Sequence, residues 1–531
     1  MIFSSPYADV AIPDVSLPQF ISERFATLGD TPAIIDSASG HTLSFAQILD
    51  GTRRMAFALA QRGFTKGQVF AICCPNAPEY PVSILAVTTL GGIVTTMNPL
   101  STGPELNHQL RLTGARFLLT APALGPRMAE ATAGSAVEEI FVLGAAPFGT
   151  PCATLLQEDG SPPAVVIDAR NDLAVLPFSS GTSGVPKGVM LSHRNLVAQL
   201  CQSELVSPDE PNPPYTVSVL PFFHIYGLVL ILMLALRRGR TLVSMARFEL
   251  EPFLANLQKY KVTRASLVPP IVQALAKHPL VDGYDLSSLR IIGCGAAPLS
   301  PDIERLCKER IGSVVNQGYG MTETSGAALN NPEMLEGMTM RPGTIGICWP
   351  NMQAKVVDVA DGRELGPGER GELCLRGPNV MRGYFKAPEA TAQTLDADGW
   401  LHTGDVAVAD ADGYFRIVDR IKELIKHNAY QIAPAELEGV LMSHPAVADA
   451  AVIPSPDEES GEVPKAFVVL KSPCTADELM AYVAARVAPY KKIRLVQFVE
   501  SLPRSASGKL LRRVLVDQER VDQERHRVPP R

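Results

Sequence analysis

Residues 178–189 read FSSGTSGVPKGV, a run of small hydroxyls and glycines closed by one lysine. Ser179, Ser180, Thr182 and Ser183 supply hydroxyl donors, Gly181 and Gly184 let the backbone fold tightly, and Lys187 adds an ammonium. Such a run buries almost nothing, and its composition suits a loop that wraps a polyphosphate. It is not the G-x-x-x-x-G-K-[ST] loop, because Lys187 stands between Pro186 and Gly188. A Gly/Ser linker is the plain alternative; the embedded Pro-Lys-Gly and the apolar LAVLPF before it argue against that. A second turn, NQGYGMTET at 316–324, sets Tyr319 between Gly318 and Gly320, with Gln317 before them and Met321, Thr322 and Glu323 after. An aromatic face suits a purine, and a carboxylate beside a phosphate suits Mg²⁺; capping a helix is the default alternative for Glu323. A third, WLHTGDVA at 400–407, presents Asp405 after a glycine turn, either to hold ribose hydroxyls or only to make the turn. The string GCGAAP at 293–298 imitates part of a dinucleotide fingerprint but ends on Pro298, which excludes a nicotinamide site.

The elements that must position these turns read as α/β. FAQILDGTRRMAFALAQRGF has helical spacing and QVFAICC after it reads as a buried strand. The same alternation continues through YTVSVLPFFH, RASLVPP and LRIIGCG, each strand running into a Pro- or Gly-rich turn. This rhythm predicts layered α/β subdomains with parallel strands, whose ligands lie at the carboxyl ends of the strands. From about 345 to 419, Asp-Gly and Pro-Gly turns between short strands predict a small β-rich module. From Arg420 onward there are 17 Lys and Arg against 15 Asp and Glu, a net of +2, within a chain that carries −7 overall. The boundary is therefore drawn between an N-terminal domain, 1–419, and a small α+β domain, 420–531. AVADAAVIP and KAFVVLK are its strands, and a helix opens at Thr475 with Glu478 three residues later. The tandem VDQER copies at 516–525 are read as a frayed end over about 515–531.

At 531 residues the chain is too long for one core. A net charge of −7 leaves no cation excess for a general nucleic-acid binder. Nine scattered cysteines without a C-x-x-C pair predict buried thiols in a reduced, cytoplasmic compartment. The nine histidines show no zinc spacing. The opening MIFSSPYADVAIPDV lacks a cationic-then-apolar pattern, so no targeting segment is expected. The apolar run IYGLVLILMLAL is too short to span a bilayer, which needs about 20 residues, and predicts a buried helix.

Taken in order over residues 179–509, SSGTSGVPKGV, QGYGMTE, WLHTGD, VDRIKELIK and PRSASGK resemble the adenylate-forming superfamily of acyl-CoA synthetases, luciferases and peptide-synthetase adenylation domains. With PFFHIYG and QIAPAELE, the pattern is most similar to 4-coumarate–CoA ligases and their bacterial relatives. The resemblance implies a carboxylic acid, ATP with Mg²⁺, and CoA as partners. The acid attacks the α-phosphate to give acyl-AMP, and a thiol then takes the acyl group. It implies Lys509 as the lysine between substrate carboxylate and α-phosphate, Thr182 and Glu323 at Mg²⁺, and Thr322 at the α-phosphate. Asp405 and Arg420 would meet the ribose, with Tyr319 and the strip Gly295, Ala296, Ala297 and Pro298 at the adenine. Lys422 stands at the family's hinge. Lys426, His427, Asn428, Ala429, Tyr430 and Gln431 form the loop brought over the site for the CoA step. His224, Ile225, Tyr226, Gly227, Gly293, Gly295, Gly318, Gly326 and Ala327 would line the acyl pocket.

The chain departs from that pattern where close relatives read IKYKGFQVAP and it reads IKHNAYQIAP. Ala429 adds a Cβ where the family's glycine lets backbone pass close to the pantetheine arm. TSGAAL at 324–329 also differs from the plant-type AGPVL. Gly293 and Gly295 leave room at the pocket wall for a para-substituted aromatic ring, so aryl-propenoic acids are the first expectation for the acid; the smaller residues of TSGAAL could admit an alkyl chain, and medium-chain or other aryl acids are the alternative. A carrier-protein thiol or an amine is the alternative acceptor.

Overall fold

The computed structural model describes residues 1–527 apart from 180–185, 208–214, 334, 422, 428–429, 458–459 and 506–507; the side chains of 430, 431 and 522–527 are also outside the described set. The chain divides into two compact units, one of Ile2–Ala354 with Leu375–His402, the other of Met1, Lys355–Cys374 and Thr403–Arg531. This is a division by packing and gives 355–374 and 403–419 to the C-terminal unit, whereas the boundary drawn at 419/420 concerns which part moves.

The larger unit is built on parallel strands, as the helix-strand alternation predicts. Its widest sheet has seven strands in the order Leu191–Ser192, Leu173–Val175, Ile93–Thr96, Val69–Cys73, Phe117–Thr120, Glu139–Val142 and Thr150–Pro151. The inner members are parallel. Val69–Cys73 is buried at all five positions, which is why it reads as a continuous apolar run rather than an alternation. The helix Phe45–Gln61 opens on Ser44, whose hydroxyl accepts from Gln47 N while the Gln47 side chain accepts from Ser44 N. A second sheet sets Tyr215–Ser218, Thr241–Ser244 and Pro32–Asp36 in parallel. In a third, Arg264–Leu267, Ile291–Cys294 and Val314–Tyr319 run parallel, so the turns after the last two open side by side. The run IYGLVLILMLAL is buried as predicted, but its first part, Tyr226–Met233, is π-helical and only Leu234–Arg238 is α-helical. No helix among the described residues is long and apolar enough to cross a membrane.

One helix of this unit, His193–Val206, carries an amide face. Asn195, Gln199 and Gln202 recur at helical spacing and all are buried. Asn195 Nδ2 donates to the carbonyls of Pro378 and Val380, both at 2.8 Å; Gln199 Oε1 accepts from Ala327 N at 3.0 Å; Gln202 Nε2 donates to the Pro350 carbonyl at 2.7 Å. Asn379, fully buried, donates to the carbonyls of Thr324 and Ala327, both at 2.9 Å. A buried network of this kind fixes one arrangement of its loops because each unmade bond is costly.

The C-terminal unit centres on a long antiparallel pair, Val447–Asp457 with Gly461–Leu470, and a core of Ile425, Leu437, Leu441, Val452, Val468, Leu479 and Val483. The helix Ala476–Ala484 is capped by Thr475 and Glu478 as the sequence predicts. The expectation of a frayed end from 515 is overturned. Arg512–Arg527 is a helix in which Leu515 is buried with Ile453 and Phe467, and Glu519, also buried, accepts from Ser455 Oγ and pairs with Lys465. The VDQER copies look polar throughout, but Leu515 and Glu519 are four apart and share the packed face.

Arg512 ties this unit together. Its guanidinium takes Glu438 through two nitrogens, at 3.2 and 2.5 Å, and pairs with Glu423. Asp419 lies in the same cluster, accepting from Arg420 N at 2.7 Å and Ala435 N at 3.0 Å. Burial raises the Glu438 carboxyl and lifts Asp419 to about 6, with Arg512 opposing in both cases. Arg512→Ala strands these carboxylates, and a loss of about 3–5 kcal/mol is expected at pH 7. The deficit shrinks as pH falls from 7 to 5: carboxyls raised in the folded state bind protons there before the unfolded chain does, and stability rises. Urea unfolding of the full chain at both pH values measures this.

Candidate active site

The two ends of the 178–189 stretch are described, and they face each other. Phe178–Ser179 and Lys187–Gly188 form an antiparallel pair with Ser179 opposite Lys187, which brings the two ends of the stretch side by side. Ser180, Gly181, Thr182, Ser183 and Gly184 lie outside the described residues. Ser179 Oγ donates to Glu323 Oε1 at 2.6 Å, and Tyr384 Oη donates to the same oxygen at 2.8 Å. The Lys187 ammonium stands 5.4 Å from the centroid of the Tyr384 ring. Glu323 is buried at 2% exposure, in the 3₁₀ turn Thr322–Thr324. Burial first, and then the Glu323 charge, push the Tyr384 phenol well above its ordinary range, so it acts as a donor.

This set fits a magnesium nucleotide. A buried carboxylate is tolerated when a cation or several donors meet it. Here both hydroxyl donors converge on Oε1, no described donor takes Oε2, and hard oxygen ligands suit Mg²⁺.

The purine candidates occupy the parallel turns. Gly293 and Cys294 pair with Asn316 and Gln317, which sets 295–298 beside 318–321. Ala296 takes φ +72°, a left-handed value that strains an L residue, and Ser325 takes +57°. Gln317 is spent on structure: its side chain accepts from Leu299 N and donates to the Leu299 carbonyl, both at 3.0 Å, pinning the strip to the strand. Tyr319 is half-buried, Met321 likewise, and Thr322 is buried. A Cβ on Gly320 would run into the Gly326 carbonyl and Ala327 Cα, so glycine there is dictated by two backbones in contact.

At the acyl candidates, His224 Nδ1 accepts from Tyr226 N at 3.3 Å, capping the π-helical turn, and Ile225 is buried. The expectation that Gly293 and Gly295 leave room for a substrate ring is corrected. Tyr226 fills that space: its Oη lies 3.4 Å from the Gly293 carbonyl, and a Cβ at Gly295 would sit 3.3 Å from its ring. Gly227 is likewise a packing residue, because a Cβ there would overlap the Pro221 carbonyl. Gly326, at φ +138°, lies against Leu230, and Gly318 against Leu329 and Asn330. Ala327 is buried.

In the C-terminal unit, Asp405 and Arg420 are cross-strand partners, with Nε to Oδ1 at 3.2 Å. Lys509 follows Gly508, which needs its φ of +78°, in a loop closed by Ser505 N to the Lys509 carbonyl at 2.8 Å. Arg504 fastens that loop: it donates to the Gly508 carbonyl and takes both oxygens of Asp449 at 2.9 and 2.8 Å. Lys426, exposed, pairs in register with Gln431 across the hairpin Ile425–His427 with Tyr430–Ile432. His427 does not project with it; it is buried, with Nδ1 2.8 Å from the Glu462 carbonyl. Lys422, Asn428 and Ala429 lie outside the described residues, as do the side chains of Tyr430 and Gln431. None of the nine cysteines is in a disulfide, and burial lifts the Cys73, Cys152 and Cys348 thiols to about 12, far from a thiolate at neutral pH.

Sequence reasoning missed Tyr384 and Asn379. The amide spacing 195, 199, 202 on an otherwise apolar helix was a readable signal for the network around Asn379; nothing local to Tyr384 announces Glu323, 61 positions away.

The turn around Ser179 and Lys187, the Tyr319 turn and the Lys509 loop have the residue types of an enzyme that handles a nucleotide. Two family models match in tandem, AMP-binding enzyme over residues 21–385 and AMP-binding enzyme C-terminal domain over 436–509. The chain belongs to the AMP-binding enzymes, within their adenylate-forming acyl-CoA ligases, which use ATP and CoA. It is 42% identical over 526 residues to 4-coumarate–CoA ligase 5 of Oryza sativa subsp. japonica, covering 97% of this chain and 96% of that one. It is 41% identical to 4-coumarate–CoA ligase of Pinus taeda, covering 97% of each. Among solved structures it resembles ATP-bound MatB from Rhodopseudomonas palustris, with TM-score 0.85 and 27% identity over 95% of this chain and 99% of that one. It also resembles o-succinylbenzoate CoA synthetase from Bacillus subtilis with its acyl-adenylate intermediate, with TM-score 0.79 and 30% identity over 94% and 98%.

Gly320→Ala is expected to cost about 1–3 kcal/mol by forcing the 326–327 backbone aside. A thermal melt reads the loss, and Gly283→Ala, exposed, without a left-handed φ and with open space beside it, gives the effect of the added methyl without a clash.

Proposed function

We propose that this enzyme activates a 4-coumarate- or cinnamate-type aryl acid and passes it to CoA. The observation that carries the choice of acid is the likeness to two plant 4-coumarate–CoA ligases along nearly the whole chain. Medium-chain acids are the second reading, favoured by the small residues Gly326, Ala327 and Ala328.

In the first half-reaction the acid's carboxylate oxygen attacks the α-phosphorus of ATP and pyrophosphate leaves. Two anions must meet, so the demand on the protein is electrostatic. Lys187 and the hydroxyls of 179–183 hold the leaving phosphates, Thr322 the α-phosphate, and Lys509 sits between carboxylate and phosphate. Mg²⁺, when bound at Glu323 with Thr182, neutralises phosphate charge. Asp405 accepts from the ribose hydroxyls with Arg420 beside it, and Tyr319 and 295–298 receive the adenine. In the second half-reaction the CoA thiol attacks the acyl carbon and AMP leaves. Residues 420–531 turn about Lys422 between the halves, withdrawing Lys509 and bringing Lys426 to Gln431 forward. The anchoring of Gly508, beside Lys509, to Arg504 within this unit favours this reading, since Lys509 is then carried with the unit. Nine cysteines outside any disulfide favour a cytoplasmic setting.

The test is pyrophosphate release with ATP and Mg²⁺ over cinnamic, hydroxycinnamic, benzoic and straight-chain acids, each with and without CoA. Hydroxycinnamates should lead, and CoA should accelerate turnover. Equal rates without CoA would transfer the second step to a carrier-protein thiol or an amine. Lys509→Met should slow adenylate formation by about a hundredfold or more while synthetic acyl-AMP still reacts with CoA.

A further inference from the structure

Tyr384 belongs to no motif that led to the site, yet its segment grips the site from two directions. Residues 381–385 return along residues 188–190: Arg382 N donates to the Met190 carbonyl at 3.0 Å, Phe385 N to the Gly188 carbonyl at 2.8 Å, and Val189 and Tyr384 form an antiparallel bridge. The same segment takes hold of Glu323 twice. Met381 N donates to the Glu323 carbonyl at 2.8 Å, and Tyr384 Oη donates to its side chain at 2.8 Å. Tyr384 is 5% exposed, so its ring has little freedom, and the Lys187 ammonium lies over that ring. One residue therefore touches both charges of the site, the acidic one through its hydroxyl and the basic one through its face.

We propose that Tyr384 is a positioning residue for the metal-nucleotide: its hydroxyl sets the plane of the Glu323 carboxylate and its ring sets the Lys187 ammonium. The inference rests on the reading of Glu323 as the magnesium carboxylate and of Lys187 as a phosphate contact. Two donors on Oε1, from Ser179 and Tyr384, hold the carboxylate by one oxygen and direct the other toward a cation. The hydroxyl and the ring make separate contributions, and two substitutions divide them. Tyr384→Phe keeps the ring and removes the donor; Tyr384→Leu removes both.

The measurement is nucleotide binding by calorimetry on the full chain, with ATP alone and with ATP plus Mn²⁺, the bound Mn²⁺ being followed by its electron spin resonance. Tyr384→Phe should weaken Mn²⁺-ATP binding about tenfold, the loss of one hydrogen bond to a charged group, and leave metal-free ATP within about twofold. Tyr384→Leu should weaken both, because Lys187 loses its support. In a Glu323→Gln background, Tyr384→Phe should add nothing further. Equal losses for both forms of ATP in Tyr384→Phe would overturn the proposal and leave Tyr384 a packing residue. So would a full additional loss in the Glu323→Gln background, a comparison that a general fall in stability does not imitate. If Glu323→Gln itself leaves Mn²⁺-ATP binding unchanged, the reading of Glu323 fails and the proposal fails with it; if Glu323→Gln weakens binding while Tyr384→Phe does not, only the role of Tyr384 is lost.

Discussion

A carboxylate buried to 2% exposure governs how the larger unit is built. Taking a charge out of water is expensive unless partners are waiting for it, and Glu323 gathers them from two distant parts of the chain. Ser179 comes from the start of the 178–189 stretch and Tyr384 from the returning segment, whose Met381 N also holds the Glu323 backbone carbonyl. Holding Glu323 in this way also fixes its neighbours. Asn379 ties the carbonyls of Thr324 and Ala327, and Gln199 ties Ala327 N, so the turn that carries the carboxylate and the turn beside the acyl candidates form one hydrogen-bonded piece. The strain at Ala296 and Ser325 sits against this piece, where surrounding bonds over-determine the backbone.

The C-terminal unit solves a different problem, which is to present cations from short loops. Arg504 holds the Gly508 carbonyl beside Lys509, and its pair with Asp449 anchors that end of the loop to the long hairpin. Arg512, three residues beyond Lys509, holds Glu423 and Glu438 next to Asp419. The segment on either side of Lys422 is thus tied at both flanks to the same unit.

Much of the fold was legible because its signals are local. Periodicity gave the helix Phe45–Gln61 and the strand Val69–Cys73, and Thr475 with Glu478 gave a helix start. The end helix was misread because VDQER is polar at most positions and only the fold shows that Glu519 has a buried lysine to meet. The run at 225–236 was read as a buried helix, but its π-helical winding depends on Gly227 meeting the Pro221 carbonyl, a contact no periodicity reports. His427 was grouped with the CoA loop by its position, whereas strand alternation against the long hairpin turns it inward and leaves Lys426 outside.

By itself the sequence determined the reaction family, because the hydroxyls, glycines, carboxylates and lysines that handle a nucleotide are gathered in short ordered motifs whose chemistry is carried by residue type. Tertiary structure alone decided which of those residues are engaged by the scaffold and which distant residues join them. Gln317 is consumed by Leu299, the space at Gly293 and Gly295 belongs to Tyr226, and Tyr384 enters the site from 61 positions away. The physical reason is that a side chain has a small number of hydrogen bonds and one volume to give, and the fold determines where both are spent.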